Sequence, residues 1–278
     1  MPRPLLVIGF GNMGSAITAG ALRAGLLTPA DLTIIEPTTA KAADLAARGA
    51  RVFPSVASLL ALPPKAAILL AIKPQGFTAL CEQLTAARLT AAPLTLGPEH
   101  LLISILAGVR LDRLRAGLAA PCVTRAMPNL PASVGQGCTA ICHDQGLSPN
   151  DALYAEQLFL STGPVVVEAP EPMMDAFTAL AGSGPAYVFY LAEALTRAAR
   201  QQGFEPEAAR AIVRQTIIGA ARLLEADHAT PEALRAAVTS KGGTTASACE
   251  TLDRLEVMDA VDRAVAAGTQ RARELSAV

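Results

Sequence analysis

"VIGFGNMGSAI", Val7 to Ile17, sets Gly9, Gly11 and Gly14 in the spacing G-x-G-x-x-G between an apolar run and an alanine-rich segment. In a strand-turn-helix context each glycine answers a physical demand. Gly9 makes the tight turn, Gly11 lets the backbone approach a pyrophosphate, and Gly14 lets the helix pack on the strand. The N–H groups at the helix start, around Phe10, Asn12 and Met13, then hold negative charge. Three glycines alone are a weak pattern. Here they follow the first predicted strand and open the first predicted helix, and Glu36 ends the second strand 22 residues after Gly14. A carboxylate at that place accepts from a ribose 2′,3′-diol and repels a 2′-phosphate, which favours NADH over NADPH. Thr38, Thr39 and Lys41 follow as candidate phosphate contacts.

The pattern around the loop repeats. "PLLVIGF", "LTIIEP", "RVFP", "AAILLAI" and "LLISILAG" are short apolar runs separated by "MGSAITAGALRAG", "TTAKAADLAARG" and "SVASLLAL", which read as helices. Strands without polar alternation are buried on both faces, and strands alternating with helices form parallel βαβ units. The expected fold is therefore α/β, a Rossmann-like doubly wound sheet. "PCVTRAMPN", "GCTAICH" and "GPVVVEA" extend it, bracketing a helix over 148–161. Lys73 and Pro74, closing "AIKPQG" after Ala71, sit at the C-terminal end of a strand, where open sheets bind ligands, and Lys73 is placed against the cofactor's ribose.

Beyond Pro172 the chain turns helical. In "PEAARAIVRQTIIGAARLLEAD", Val213, Ile217, Ala220 and Leu224 make one apolar stripe, with Arg210, Arg214 and Arg222 off it. Long Ala/Leu-rich helices with few aromatics pack against a second copy. Residues 1–168 are thus expected to form the dinucleotide-binding domain, and 169–278 an all-helical dimerisation and substrate-binding domain.

Composition narrows the partners. The chain has 278 residues, 51% of them hydrophobic, with 23 basic and 24 acidic side chains and no run of one sign. That balance gives no footprint for nucleic acid or an anionic membrane and suits a small-molecule substrate. The apolar runs are too short for a signal peptide or a bilayer span, so a soluble cytoplasmic protein is expected. Five scattered cysteines point to reduced thiols, and "CTAICH" has no second cluster to complete a metal site, so no metal is expected.

No acid-base triad is visible. His100, His143 and His228 lie in unrelated contexts, and none of Lys41, Lys65, Lys73 and Lys241 is spaced as a dehydrogenase lysine. A reductase without a strong acid suits a substrate that brings its own charge, such as a protonated imine. "GFGNMG", "AIKPQ", "SILAGV", "RAMPNLP", "GSGPAYVF" and "VTSKGGTT" occur in the order and approximate spacing of the pyrroline-5-carboxylate reductase family, over nearly the whole chain.

This resemblance implies NAD(P)H-dependent reduction of Δ1-pyrroline-5-carboxylate to L-proline, the last step of proline biosynthesis. It also implies a homodimer through the helical domain, often built into larger rings. Thr245 and Ser240 are then catalytic. The Ser240 hydroxyl and the N–H groups of Gly243 and Thr244 then meet the substrate carboxylate, Gly242 belongs to the same binding loop, and the Thr245 hydroxyl faces the ring nitrogen. Ser183, Gly184 and Pro185, within Gly182 to Tyr187, start the long helix that walls the site, supplied by the partner subunit. The segments "LAG" and "MPN", including Ala107 and Asn129, line the nicotinamide. Lys241 stands where many members have proline, and Leu130 replaces the threonine of "MPNTP", removing one polar contact. A piperideine carboxylate reductase and a non-catalytic NAD(P)-binding sensor are the alternatives. The intact Ser240, Gly242, Gly243 and Thr245 speak against the sensor.

Overall fold

The computed structural model describes residues 3–59, 61–89, 96–226 and 229–277. His228 lies outside them. The chain divides into two compact units, Met1–Ser183 with Gly268–Val278, and Gly184–Ala267.

The first unit is built on one eight-stranded sheet. Its strands are β1 (Leu5–Ile8), β2 (Leu32–Ile35), β3 (Arg51–Phe53), β4 (Ala67–Leu70), β5 (Leu101–Ser104), β6 (Val123–Met127), β7 (Cys138–His143) and β8 (Val165–Glu168). They lie in the order β3-β2-β1-β4-β5-β6-β7-β8. Leu5 pairs with Leu32 on one side and Ala67 on the other, both in parallel. The side-chain period of two sends Leu5, Val7, Leu32, Ile34, Leu69, Leu101 and Ile103 into one apolar cluster. Leu6, Ile8, Ile35, Ile68, Leu70 and Leu102 enter another on the opposite face. Each such fully buried aliphatic side chain contributes ~1.5–3 kcal/mol.

Helices α1 (Asn12–Arg23), α2 (Ala43–Ala47), α3 (Phe77–Leu89), α4 (Leu111–Leu118) and α5 (Pro149–Leu160) complete this layer structure. α5 starts at a side-chain cap, the Ser148 hydroxyl accepting the Asp151 N–H at 3.1 Å with Pro149 at the first helical position.

One local expectation changes. Of Ser55–Leu62, read as a short helix, only a 3₁₀ turn over Val56–Ser58 forms among the described residues. Pro63 and Pro64 follow at once, and so short a segment cannot repay helix nucleation. The sheet is not wholly parallel, because β6 and β7 pair antiparallel, Arg125 opposite Cys142. Residues 128–137 between them are too few for a parallel crossover helix.

The expected boundary at 168/169 follows the last residue of β8, whereas the compact units part at Ser183. The chain between holds α6 (Met174–Phe177) and one π-helical turn, Thr178–Gly182.

The second unit contains α7 (Gly184–Gln201), α8 (Pro206–Ala226), α9 (Pro231–Ala237), α10 (Thr244–Arg254) and most of α11 (Val257–Ser276). Thr230 caps α9 by accepting the Ala233 N–H at 3.3 Å. Among its described residues only Ala209 and Val213 are buried hydrophobics, while Phe189, Tyr190, Leu255 and Met258 are 59–76% exposed. Of the α8 stripe Val213 is buried and Leu224 is 52% exposed. This helical unit buries little of its own apolar surface within the chain.

Candidate dinucleotide and substrate site

The glycine loop connects β1 to α1. Gly9 has φ +95°, and a Cβ there would fall 2.7 Å from the Ala71 carbonyl oxygen, so both the turn and the neighbouring β4 require glycine. A Cβ on Gly14 would fall 2.3 Å from the Gly9 carbonyl oxygen. Gly11 is different: a Cβ would meet nothing within 4 Å. Gly11 is also the N-cap of α1 and offers no side-chain cap, which leaves the first-turn N–H groups for an external anion.

Beside the loop lies an open cleft of about 880 Å³. Of the cofactor residues expected from the sequence, Gly9, Gly11, Asn12, Met13, Glu36, Ala71, Lys73, Pro74 and Ala107 line it. Phe10 packs into the core below the loop. Gly14 and Asn129 are buried and do not line it. Met127 and Pro128 of the expected "MPN" segment line the cleft as well, and so do Ser55, Gln83 and Ile105, which the sequence reading did not name. Ser55 follows β3 as Lys73 follows β4, so the strand-end rule would have found it; nothing in the pattern marks Gln83. The uncapped helix start, the open space over Gly11 and the acidic residue at the end of β2 together fit a dinucleotide.

Glu36 is more committed than the sequence suggests. It is 6% exposed. One carboxylate oxygen accepts the Phe10 N–H at 3.0 Å, and the other accepts from the Thr38 N–H at 3.2 Å and the Lys41 ammonium at 2.8 Å. The residue therefore braces the glycine loop. Burial alone would push its carboxyl up, but Lys41 and the N–H groups of Phe10 and Thr38 outweigh it and hold it below the usual carboxylate range. A depressed pKa stabilises the fold above the unfolded value and loses that contribution as pH falls through the folded one. The melting-temperature difference between wild type and Glu36→Gln should hold steady from neutrality to about pH 5 and shrink below about pH 4.3. A difference that is unchanged at pH 3.5 contradicts the brace.

The segment Thr239–Gly243 leads into α10, whose first two residues are Thr244 and Thr245. Gly242 has φ +72°, a conformation that favours glycine. Gly243, read as one of two N–H groups offered to a carboxylate, instead donates its N–H to the Ser240 carbonyl at 3.0 Å, closing the turn. The first helical bond runs from the Ser247 N–H to the Gly243 carbonyl at 3.2 Å. The N–H groups of Thr244, Thr245 and Ala246 thus lie in the first turn of α10, where no intrahelical partner exists. No side chain caps this helix start. Ser240 and Lys241 are exposed and Thr245 is half-buried.

Ser183 is exposed, and its N–H donates to the Thr178 carbonyl at 2.9 Å. Gly184 and Pro185 open α7. Leu130 is half-exposed at the start of a 3₁₀ turn and does not line the cleft. His143 is hydrogen-bonded with the Thr124 hydroxyl at 2.9 Å, Cys142 is buried and Cys138 half-buried in β7. No described helix is long and apolar enough to cross a membrane.

Known proteins match along the whole chain. Residues 171–275 match the family described as pyrroline-5-carboxylate reductase dimerisation, and residues 4–108 match NADP oxidoreductase coenzyme F420-dependent. The chain is 34% identical to a pyrroline-5-carboxylate reductase of Synechocystis sp., covering 97% of each, and 33% identical to one of Pasteurella multocida, covering 98% of each. Among solved structures, a pyrroline-5-carboxylate reductase of Coxiella burnetii superposes with TM-score 0.87 at 30% identity over 99% of both chains. The NADP-bound pyrroline carboxylate reductase of Plasmodium falciparum gives TM-score 0.80 at 26% identity over 99% of this chain and 98% of the other. On a match that spans both the glycine-loop sheet and the helical half, the chain belongs to the pyrroline-5-carboxylate reductase family.

Proposed function

We propose that this chain is an oxidoreductase that reduces Δ1-pyrroline-5-carboxylate to L-proline with NAD(P)H, the closing step of proline biosynthesis. The observation that carries the reading is the bare start of α10 behind "TSKGGTT", in a chain that also holds an intact dinucleotide loop. A helix start with free N–H groups suits a carboxylate, and the hydroxyls of Ser240 and Thr245 flank it in sequence.

When bound, the reduced nicotinamide supplies a hydride to the C=N carbon. The chain's own work is to hold the partners. The α1 start and the glycine loop take the pyrophosphate, Lys73 and Pro74 the ribose side, and Ala107 the nicotinamide end of the cleft. The Thr244 N–H and the Ser240 hydroxyl anchor the carboxylate. The Thr245 hydroxyl orients the ring nitrogen, which already carries its proton in the protonated imine, so no strong acid is required.

Glu36 favours NADH within this scheme. A carboxylate has about four lone-pair sites, and the three donors described above leave room for a ribose hydroxyl. Its charge opposes a 2′-phosphate, while Lys41 moderates the preference.

Residues 169–278 serve as the dimerisation and substrate-binding domain, the exposed apolar faces of α7, α8 and α11 meeting a second copy, with larger rings assembled from such dimers. Light scattering should give at least twice the 28.6 kDa chain mass, and a monomer at micromolar concentration removes the dimer.

The decisive assay is oxidation of NADH and of NADPH in parallel with pyrroline-5-carboxylate, with proline identified as product. Turnover with neither cofactor rejects the function, and a tenfold lower KM for NADPH rejects the Glu36 preference. Thr245→Ala should lose one hydrogen bond, about 1–3 kcal/mol, and hence roughly ten- to a hundredfold in rate. Wild-type turnover in that variant would reduce the hydroxyl to a helix-start ornament.

A further inference from the structure

The turn Thr178–Gly182 is π-helical, a rare geometry that persists only where its surroundings hold it. Two contacts do so. The Asn129 Nδ2 donates to the Ala181 carbonyl at 3.1 Å, while Asn129 Oδ1 accepts the Cys138 N–H at 2.9 Å. On the other side Gly182 lies against Met127, so closely that a Cβ would fall 3.0 Å from Met127 Cε. Met127 and Pro128, immediately before Asn129, line the dinucleotide cleft, and Ser183 closes the π turn. Asn129 itself is 8% exposed, does not line the cleft, and has a partner at each end of its amide.

We infer that Asn129 is a positioning residue. Its buried amide ties the strand end that walls the cleft to the π turn that carries Ser183, and so fixes where Ser183 meets the substrate without itself touching the nicotinamide. The inference rests on the reading of Ser183 as a substrate residue.

Asn129→Asp isolates the relevant arm, because it keeps the acceptor for the Cys138 N–H and sets a second acceptor against the Ala181 carbonyl. In the full-length protein it should raise the KM for pyrroline-5-carboxylate about tenfold, the equivalent of one lost hydrogen bond. The NADH dissociation constant, read by nucleotide fluorescence, should stay within about twofold. Ser183→Ala should raise the same KM, and the double variant should be no worse than the worse single, since both act through one contact. Losses that multiply, a wild-type KM in Asn129→Asp, or an equal loss of NADH affinity each overturn the inference. Should Asn129→Asp fail to fold, Gly182→Ala presses on the π turn from the Met127 side. It should raise the KM a few-fold, and a wild-type KM there also overturns the inference. An unmutated protein that binds NADH without turning over pyrroline-5-carboxylate sinks the functional reading, and this inference with it. An active enzyme indifferent to these changes sinks the inference alone.

Discussion

Gly14→Ala is expected to cost at least a hundredfold in NADH affinity, equivalent to about 2.7 kcal/mol, together with a clear loss of thermal stability. The new methyl would stand 2.3 Å from the Gly9 carbonyl oxygen and 3.2 Å from the Ala71 Cβ. Neither backbone nor β4 can yield without moving the start of α1, and it is the position of that start that presents N–H groups to an anion. Gly11→Ala is the informative partner. Its methyl meets nothing within 4 Å, so the variant should melt with the wild type. It should nonetheless bind NADH at least tenfold more weakly if the Gly11 backbone lies against a pyrophosphate, on the scale of about 1.4 kcal/mol. Fluorescence titration beside a melting curve separates the two variants. Wild-type NADH affinity in Gly11→Ala would show that the glycine serves folding or nothing.

Arg125→Met should destabilise the protein by about 3–5 kcal/mol. Arg125 is 2% exposed on β6, with one guanidinium nitrogen 3.0 Å from Glu171 and another 3.7 Å from Asp175. Glu171 also accepts the N–H of Leu111, the first residue of α4, at 2.9 Å, and Asp175 accepts the Ser276 hydroxyl at 2.8 Å. Removing the cation leaves two carboxylates close together and largely out of water, which is costlier than never having built the network. The expected fall in melting temperature is on the order of 10 °C for a protein of this size. Adding Glu171→Gln and Asp175→Asn to Arg125→Met should recover part of it, because the uncompensated charge goes with them. A fall under about 2 °C in the single variant would mean the network contributes little to stability.

The fold was largely legible because its strands are buried on both faces and announce themselves as unbroken apolar runs. The caps at Ser148 and Thr230 share one local signature, a hydroxyl followed by proline. What stayed hidden was non-local. The antiparallel turn of β7 depends on the length of a connection, and the service of Glu36 to the Phe10 N–H depends on two strand ends meeting. Periodicity reports neither. Of the site, the cleft residues at strand ends could be named from position alone, whereas Gln83 on α3 and the burial of Asn129 required the packed structure. The Gly243 N–H shows the limit of a motif, which gives residue types but not which carbonyl a turn will claim.

The chain leaves the first unit after Ser183 and returns to it at Gly268, where α11 delivers Ser276 to Asp175. On the ribosome, therefore, the sheet-bearing unit cannot be finished when its own strands have emerged. It must wait, with Asp175 lacking its hydroxyl partner, until all of Gly184–Ala267 has been made. Closing so long a loop is slow but thermodynamically cheap, since the entropic cost rises only with the logarithm of its length. Translation order thus makes the helical unit and the completed dinucleotide unit arrive together, so that a truncated nascent chain holds an incomplete cofactor domain.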